Sequence, residues 1–175
     1  YALLFYESDN NNQKIVKNNV QIKLDEDNTI EEGITKVYNS VVVIEGYKKN
    51  QMNASGTGFI YKKDNSYAYI MTNHHVIDSS DKIKIILSDK KELDASLVGS
   101  EAYSDIAVLK VQSDKIKEIA NIGESNKLKV GDTLFAVGSP EGIDYAGTVT
   151  KGILSSKDRL VEVKLNKSTS SDYYM

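Results

Sequence analysis

Between Val41 and Val111 the chain breaks into short apolar or alternating runs separated by turn residues, and that spacing leaves few folds open. Val41-Val42-Val43-Ile44 is a continuous apolar run, the pattern of a strand buried on both faces. Phe59-Ile60-Tyr61 and Tyr67-Ala68-Tyr69-Ile70-Met71 follow, with Lys63-Asp64-Asn65-Ser66 as the turn between them. Ile83, Ile85 and Leu87 alternate with Lys82, Lys84 and the less tidy Ile86, and Ser88-Asp89-Lys90-Lys91 reads as a hairpin turn. Leu93, Ala95 and Leu97 then alternate with Asp94, Ser96 and Val98 until Gly99-Ser100 breaks the pattern. Ile106 to Val111 completes about six strands, which predicts an all-β barrel. Gly56 and Gly58, just before Phe59, mark a bulge or a close backbone approach, as small barrels need at their corners.

On either side of this block the pattern changes. Thr29 and Glu32 have capping-box spacing, and Ile30, Ile34 and Val37 share one face, so a short helix packed on the barrel is expected. Gly33 weakens that helix by about 1 kcal/mol relative to alanine. Residues Glu7 to Asp27 are polar and read as a spacer, apart from an alternating patch at Val20–Leu24 that fits a short strand. Ser113 to Lys127 reads as a connection. Thr133–Val137, Gly147–Leu154 and Val161–Leu165 are the strands of a second unit, with polar loops at Ser155–Arg159 and Ser168–Asp172. The expected organisation is therefore a tail over residues 1–28, a helix and first barrel over 29–112, and a connection with further strands over 113–175.

A length of 175 residues suits one ordinary domain or two small lobes, and 40% hydrophobic with 27% charged residues is a globular balance. A formal charge of −3 with no basic face gives no footprint for nucleic acid. Cysteine is absent, which excludes disulfides and thiolate metal sites. Tyr1 to Phe5 and Tyr6 are apolar, but six residues fall far short of the roughly twenty needed to span a bilayer.

The polar residues at two strand ends carry the chemistry. Thr72-Asn73-His74-His75 ends the Tyr67–Met71 strand and contains both histidines of the chain, and Ser104-Asp105 opens the Ile106 strand. Singly, each has an ordinary explanation as a hydrogen-bonded turn or cap. Together, a histidine at one strand end and an aspartate at another form the orienting half of a Ser-His-Asp triad. A metal site built from His74, His75 and Asp78 is disfavoured, because no second pair of ligands is evident.

Thr-Asn-x-His-Val-Ile at Thr72–Ile77, followed by Ser-Asp-Ile-Ala-Val-Leu at Ser104–Leu109, resembles the HtrA/Deg family of chymotrypsin-fold serine proteases. Further matches run from about Thr29 to Ser155 and include Ser40–Ile44, Gly56–Ile60, Leu97–Ser100, Leu128–Asp132 and Ala136–Gly142. The resemblance implies a chymotrypsin-like double β-barrel, with the first barrel complete and the second truncated. It makes His75 the catalytic base and Asp105 its orienting acid, gives His74 no role, and requires no cofactor. It further implies unfolded protein or peptide substrates, an extracytoplasmic location, a membrane anchor upstream of residue 1 and a homotrimer when full length.

One departure matters for mechanism. The family's nucleophile lies in Gly-Asn-Ser-Gly-Gly, which does not occur in the chain. Because His precedes Asp and Asp precedes Ser in the chymotrypsin order, the serine is expected beyond Met175. Ser139, in Gly-Ser-Pro-Glu-Gly, reads as a turn residue and not as a substitute. The chain alone is therefore expected to be inactive, with unpaired edges in its C-terminal third. The alternative is a pseudoprotease barrel that only binds peptides.

Overall fold

The computed structural model describes residues 26–139, 142–158, 161–163 and 172–174. The expected strand at Val20–Leu24 and the apolar Tyr1–Tyr6 lie outside these residues. Helix α1 (Glu26–Tyr38) leads into β1 (Val41–Lys48), β2 (Gln51–Lys63) and β3 (Tyr67–Thr72). A four-residue helix, α2 (His74–Ile77), precedes β4 (Lys82–Ile86), β5 (Glu92–Glu101) and β6 (Ile106–Gln112). These six strands close into a barrel in the order β1-β2-β3-β6-β5-β4, every neighbouring pair antiparallel.

Closure follows from side-chain alternation and two local devices. Val42, Ile44, Ile60, Ile70, Ile85 and Leu109 are at most 2% exposed and fill the interior as one cluster. Val76 and Ile77 of α2 belong to the same cluster, so the helix plugs one end of the barrel. Lys49 and Asn50 both have positive φ, 50° and 62°, which makes the two-residue β1–β2 turn match the right-handed twist of the strands. Gly56 and Gly58 serve close approach: an added Cβ would sit 2.5 Å from Val76 Cγ2 at the first and 2.5 Å from Ile44 Cδ1 at the second. The bulges fall elsewhere, between Gly46 and Tyr47, between Ile60 and Lys62, and between Leu97 and Gly99.

Two expectations are corrected. Helix α1 begins at Glu26, so Thr29 lies inside it and is not its cap. Its apolar face, Ile30, Ile34 and Val37, packs mainly against Val41, Ala120, Phe135 and Val137, at the junction with the second unit and not on the barrel wall alone. The break in alternation at Gly99-Ser100 is a bulge between Leu97 and Gly99, past which β5 runs on to Glu101.

Beyond the barrel, β7 (Thr133–Gly138) and β8 (Thr148–Ile153) form an antiparallel pair, and β9 (Val161–Val163) pairs with β10 (Asp172–Tyr174). Among the described residues the architecture is thus all-β, with two α-helices and three single turns of 3-10 helix. The two ribbons agree with an incomplete second barrel. No helix among the described residues is long and apolar enough to cross a membrane.

Candidate active site

The register of β3 and β6 brings the two sequence candidates together. Thr72, the last residue of β3, is paired with Ala107, so the chain leaving β3 and the chain entering β6 meet at one rim. Asp105 enters β6 in a left-handed backbone, φ 51°. That conformation costs a residue with a Cβ roughly 1–2 kcal/mol, and Asp and Asn are among the few that visit it routinely. Residues of this kind concentrate at functional sites, where surrounding contacts hold them.

The contacts here come from three consecutive residues. The main-chain carbonyl of Asp105 accepts from the His74 amide and from Asn73 Nδ2, both at 3.1 Å. Its carboxylate accepts from the His75 amide at 2.9 Å, from Asn73 Nδ2 at 3.2 Å, and pairs with His75 Nδ1 at 2.7 Å. Burial raises the pKa of Asp105 and is the largest single influence. The combined hydrogen bonds from the His75 amide, the His75 ring and Asn73 outweigh it and hold the carboxyl below the ordinary aspartate value. Asp105 is therefore an anion across the physiological range.

The tautomer follows from this pairing. An anionic carboxylate cannot donate, so the proton between the two groups sits on Nδ1 and leaves Nε2 with a free lone pair in the neutral ring. The His75 side chain is 70% exposed, so that lone pair faces solvent at an open rim. A cavity of about 250 Å³, lined in part by Tyr38, Val41, Leu87, Ser139 and Gly147, lies elsewhere and includes neither residue. The arrangement can accept a proton at Nε2 and stabilise the resulting imidazolium.

His74 does not join the pair. It begins α2 alongside His75, so the two histidines are consecutive residues of one helical turn. Its Nδ1 is buried and without a hydrogen-bond partner. Among the described residues there is no group of three or more candidate metal ligands. No described serine donates to the His75 ring. Ser139 is 2% exposed, its amide donates to Thr57 Oγ1 at 2.8 Å, and its hydroxyl donates to the Gly142 carbonyl. It is a buried turn residue. The contribution of Asn73 was missed in the sequence, where an asparagine at a strand end is indistinguishable from a turn former.

Comparison with known proteins bears on the chain as a whole. The family described as "Trypsin-like peptidase domain" matches residues 56–174. The serine protease Do-like HtrA of Bacillus subtilis (strain 168) is 42% identical over 119 residues, covering 68% of this chain and 26% of that protein. The protein of the same name from Lactococcus lactis subsp. cremoris (strain MG1363) is 37% identical over 166 residues, covering 82% of this chain and 40% of its own. A probable periplasmic serine endoprotease, DegP-like, from Hahella chejuensis is 47% identical over 109 residues, 62% of this chain and 22% of its own length. The crystal structure of the serine endoprotease from Yersinia pestis superposes with a TM-score of 0.60 at 28% identity, covering 72% of this chain and 44% of that one. The chain thus spans less than half the length of these relatives. On the family match across most of its length and the closed barrel beneath it, the chain belongs to the trypsin-like peptidase domain family as an HtrA-type member.

Proposed function

We propose that this chain supplies the general base and the orienting acid of an HtrA-type serine endopeptidase that hydrolyses peptide bonds of unfolded proteins outside the cytoplasm. The observation that carries the reading is the 2.7 Å contact between His75 Nδ1 and Asp105 Oδ2 at the barrel rim. A serine hydroxyl is a poor nucleophile until a base takes its proton, and imidazole is suited to that near neutral pH. In this mechanism Nε2 of His75 removes the proton as the serine oxygen attacks the scissile carbonyl. His75 then returns the proton to the leaving amine, giving an acyl-enzyme, and repeats the cycle with water. Asp105 keeps its negative charge throughout.

The nucleophile in this reading lies downstream of Met175, since the chain contains no Gly-Asn-Ser-Gly-Gly. Residues 29–112 carry the base and acid, and 113–175 begin the unit that completes the site. No cofactor takes part. The periplasmic designation of the Hahella relative supports an extracytoplasmic location. A membrane anchor before Tyr1 and trimeric assembly of the full-length protein belong to the same proposal, by resemblance.

The test compares the 1–175 chain with the full-length protein on casein. The chain alone should show no turnover, the full-length protein should cleave, and His75→Ala in it should cost about 10⁴ to 10⁶ in kcat. Cleavage by pure chain of the correct mass would overturn the placement of the nucleophile. A full-length protein that binds casein without cutting it would replace the enzyme with a peptide-binding barrel.

A further inference from the structure

Asn73 stands at the N-cap of α2, where an asparagine side chain ordinarily accepts a hydrogen bond from an amide of the first helical turn. It makes no such bond. Its Nδ2 donates instead to the carbonyl of Asp105 at 3.1 Å and to Oδ2 of Asp105 at 3.2 Å. The amide of His75, in that first turn, is satisfied from outside the helix by Asp105 Oδ1 at 2.9 Å. The local cap has been given up, and a residue 32 positions away serves in its place.

Two features make this more than a convenient contact. A primary amide carries two N–H groups, and both acceptors lie on the same residue, one on its main chain and one on its side chain. Bridging them fixes the carboxylate relative to its own backbone, which the left-handed φ of 51° already makes unusual. Asp105 is also 38% exposed on its side chain, so without that bridge water competes for the oxygen that faces His75.

We propose that Asn73 is a positioning residue for the His75–Asp105 pair, its amide bridging the Asp105 carbonyl and Oδ2 so that Oδ2 stays on Nδ1 of His75 while the ring gains and loses its proton. The inference rests on the function proposed above and assigns Asn73 no contact with substrate. The chemistry demands two donors at short reach. Aspartate has none and adds a like charge, alanine has none, and glutamine carries them one methylene too far. Serine is the informative replacement, because it caps helices as well as asparagine does but cannot bridge both acceptors.

The test is NMR on the 175-residue chain, following the Asp105 carboxyl carbon through its titration and the His75 Nδ1–H proton through its exchange with water. Amides of β3 and β6 report whether the barrel is intact. In Asn73→Ser the Asp105 titration should rise by roughly half a pH unit and the Nδ1–H signal should broaden, with the barrel amides unmoved. Asn73→Asp should raise the Asp105 titration further. Parental titration and parental Nδ1–H exchange in Asn73→Ser would overturn the proposal and leave Asn73 as a turn residue at the strand end. Asp105→Asn tests the pair itself. A His75 ring indifferent to Asp105→Asn removes the catalytic reading, whereas a ring that responds to Asp105→Asn but not to Asn73→Ser removes the role of Asn73 alone.

Discussion

Strands β3 to β6 and the β7–β8 hairpin carry similar short apolar or alternating runs, yet the barrel and the hairpin end in different physical situations. In the barrel every strand has two neighbours, and Ile70, Ile85 and Leu109 are fully buried. In the hairpin β7 is buried through Phe135 and Val137, while all six residues of β8 are exposed, Ile153 at 65%. Closure removes edges, and a two-stranded ribbon retains them. Alternation therefore sets which face of a strand is apolar, and closure decides whether that face is covered. The hairpin's stability is borrowed from α1 and Val41, against which β7 packs.

The sharpest way to break this contrast is hydrogen exchange. Amides of β1–β6 should be protected roughly a thousandfold or more beyond those of β8. Equal protection across Val41–Val111 and Thr133–Ile153 would show that the hairpin is held by more than β7. Core truncation comes next: Leu109→Ala should cost the barrel about 2–5 kcal/mol by chemical denaturation, and Val149→Ala in β8 about 0.5 kcal/mol or less. Gly56→Ala should cost about 1–3 kcal/mol by crowding Val76, and Val76→Ala in the same chain should relieve part of it.

Two smaller effects sharpen the junction and the rim. Thr57 Oγ1 accepts from the Ser139 amide while its carbonyl accepts from Thr72 Oγ1, each at 2.8 Å, so one threonine ties the hairpin to the strand that ends at the site. Thr57→Val should cost about 1–3 kcal/mol and increase exchange in β7 more than in β3. At the rim, the depressed pKa of Asp105 fixes the sign of a pH effect. The stabilisation is complete above the ordinary aspartate value, about 4, and is lost as pH falls through the lower folded value. Acid titration of stability should therefore flatten in Asp105→Asn relative to the parent.

Much of this was legible in the sequence, and for identifiable reasons. Continuous apolar runs report on strands buried on both faces and period-two alternation on half-buried ones, so all six barrel strands and the hairpin could be located. His75 and Asp105 stood out because each interrupts an apolar run at its end. The helical turn at His74–Ile77 was not legible, since four residues are too few to show a helical period. The start of α1 was missed because Thr29 and Glu32 satisfy a capping pattern that the longer helix does not use. The bridge from Asn73 was hidden for another reason. It is a contact across 32 positions, and only the pairing of β3 with β6 creates it.

That separation has a consequence during synthesis. Every hydrogen bond that orients His75 comes from Asp105, and the two are held together by pairing that requires β6. A ribosome adding about 5–20 residues per second emits Asp105 roughly 1.5 to 6 seconds after His75. Throughout that interval the emerging histidine is an ordinary surface imidazole beside other unfolded chains. The rim acquires its directed imidazole only when the barrel has its last strand, so the His75–Asp105 pair is assembled by closure of the barrel and not by the order in which its two residues emerge.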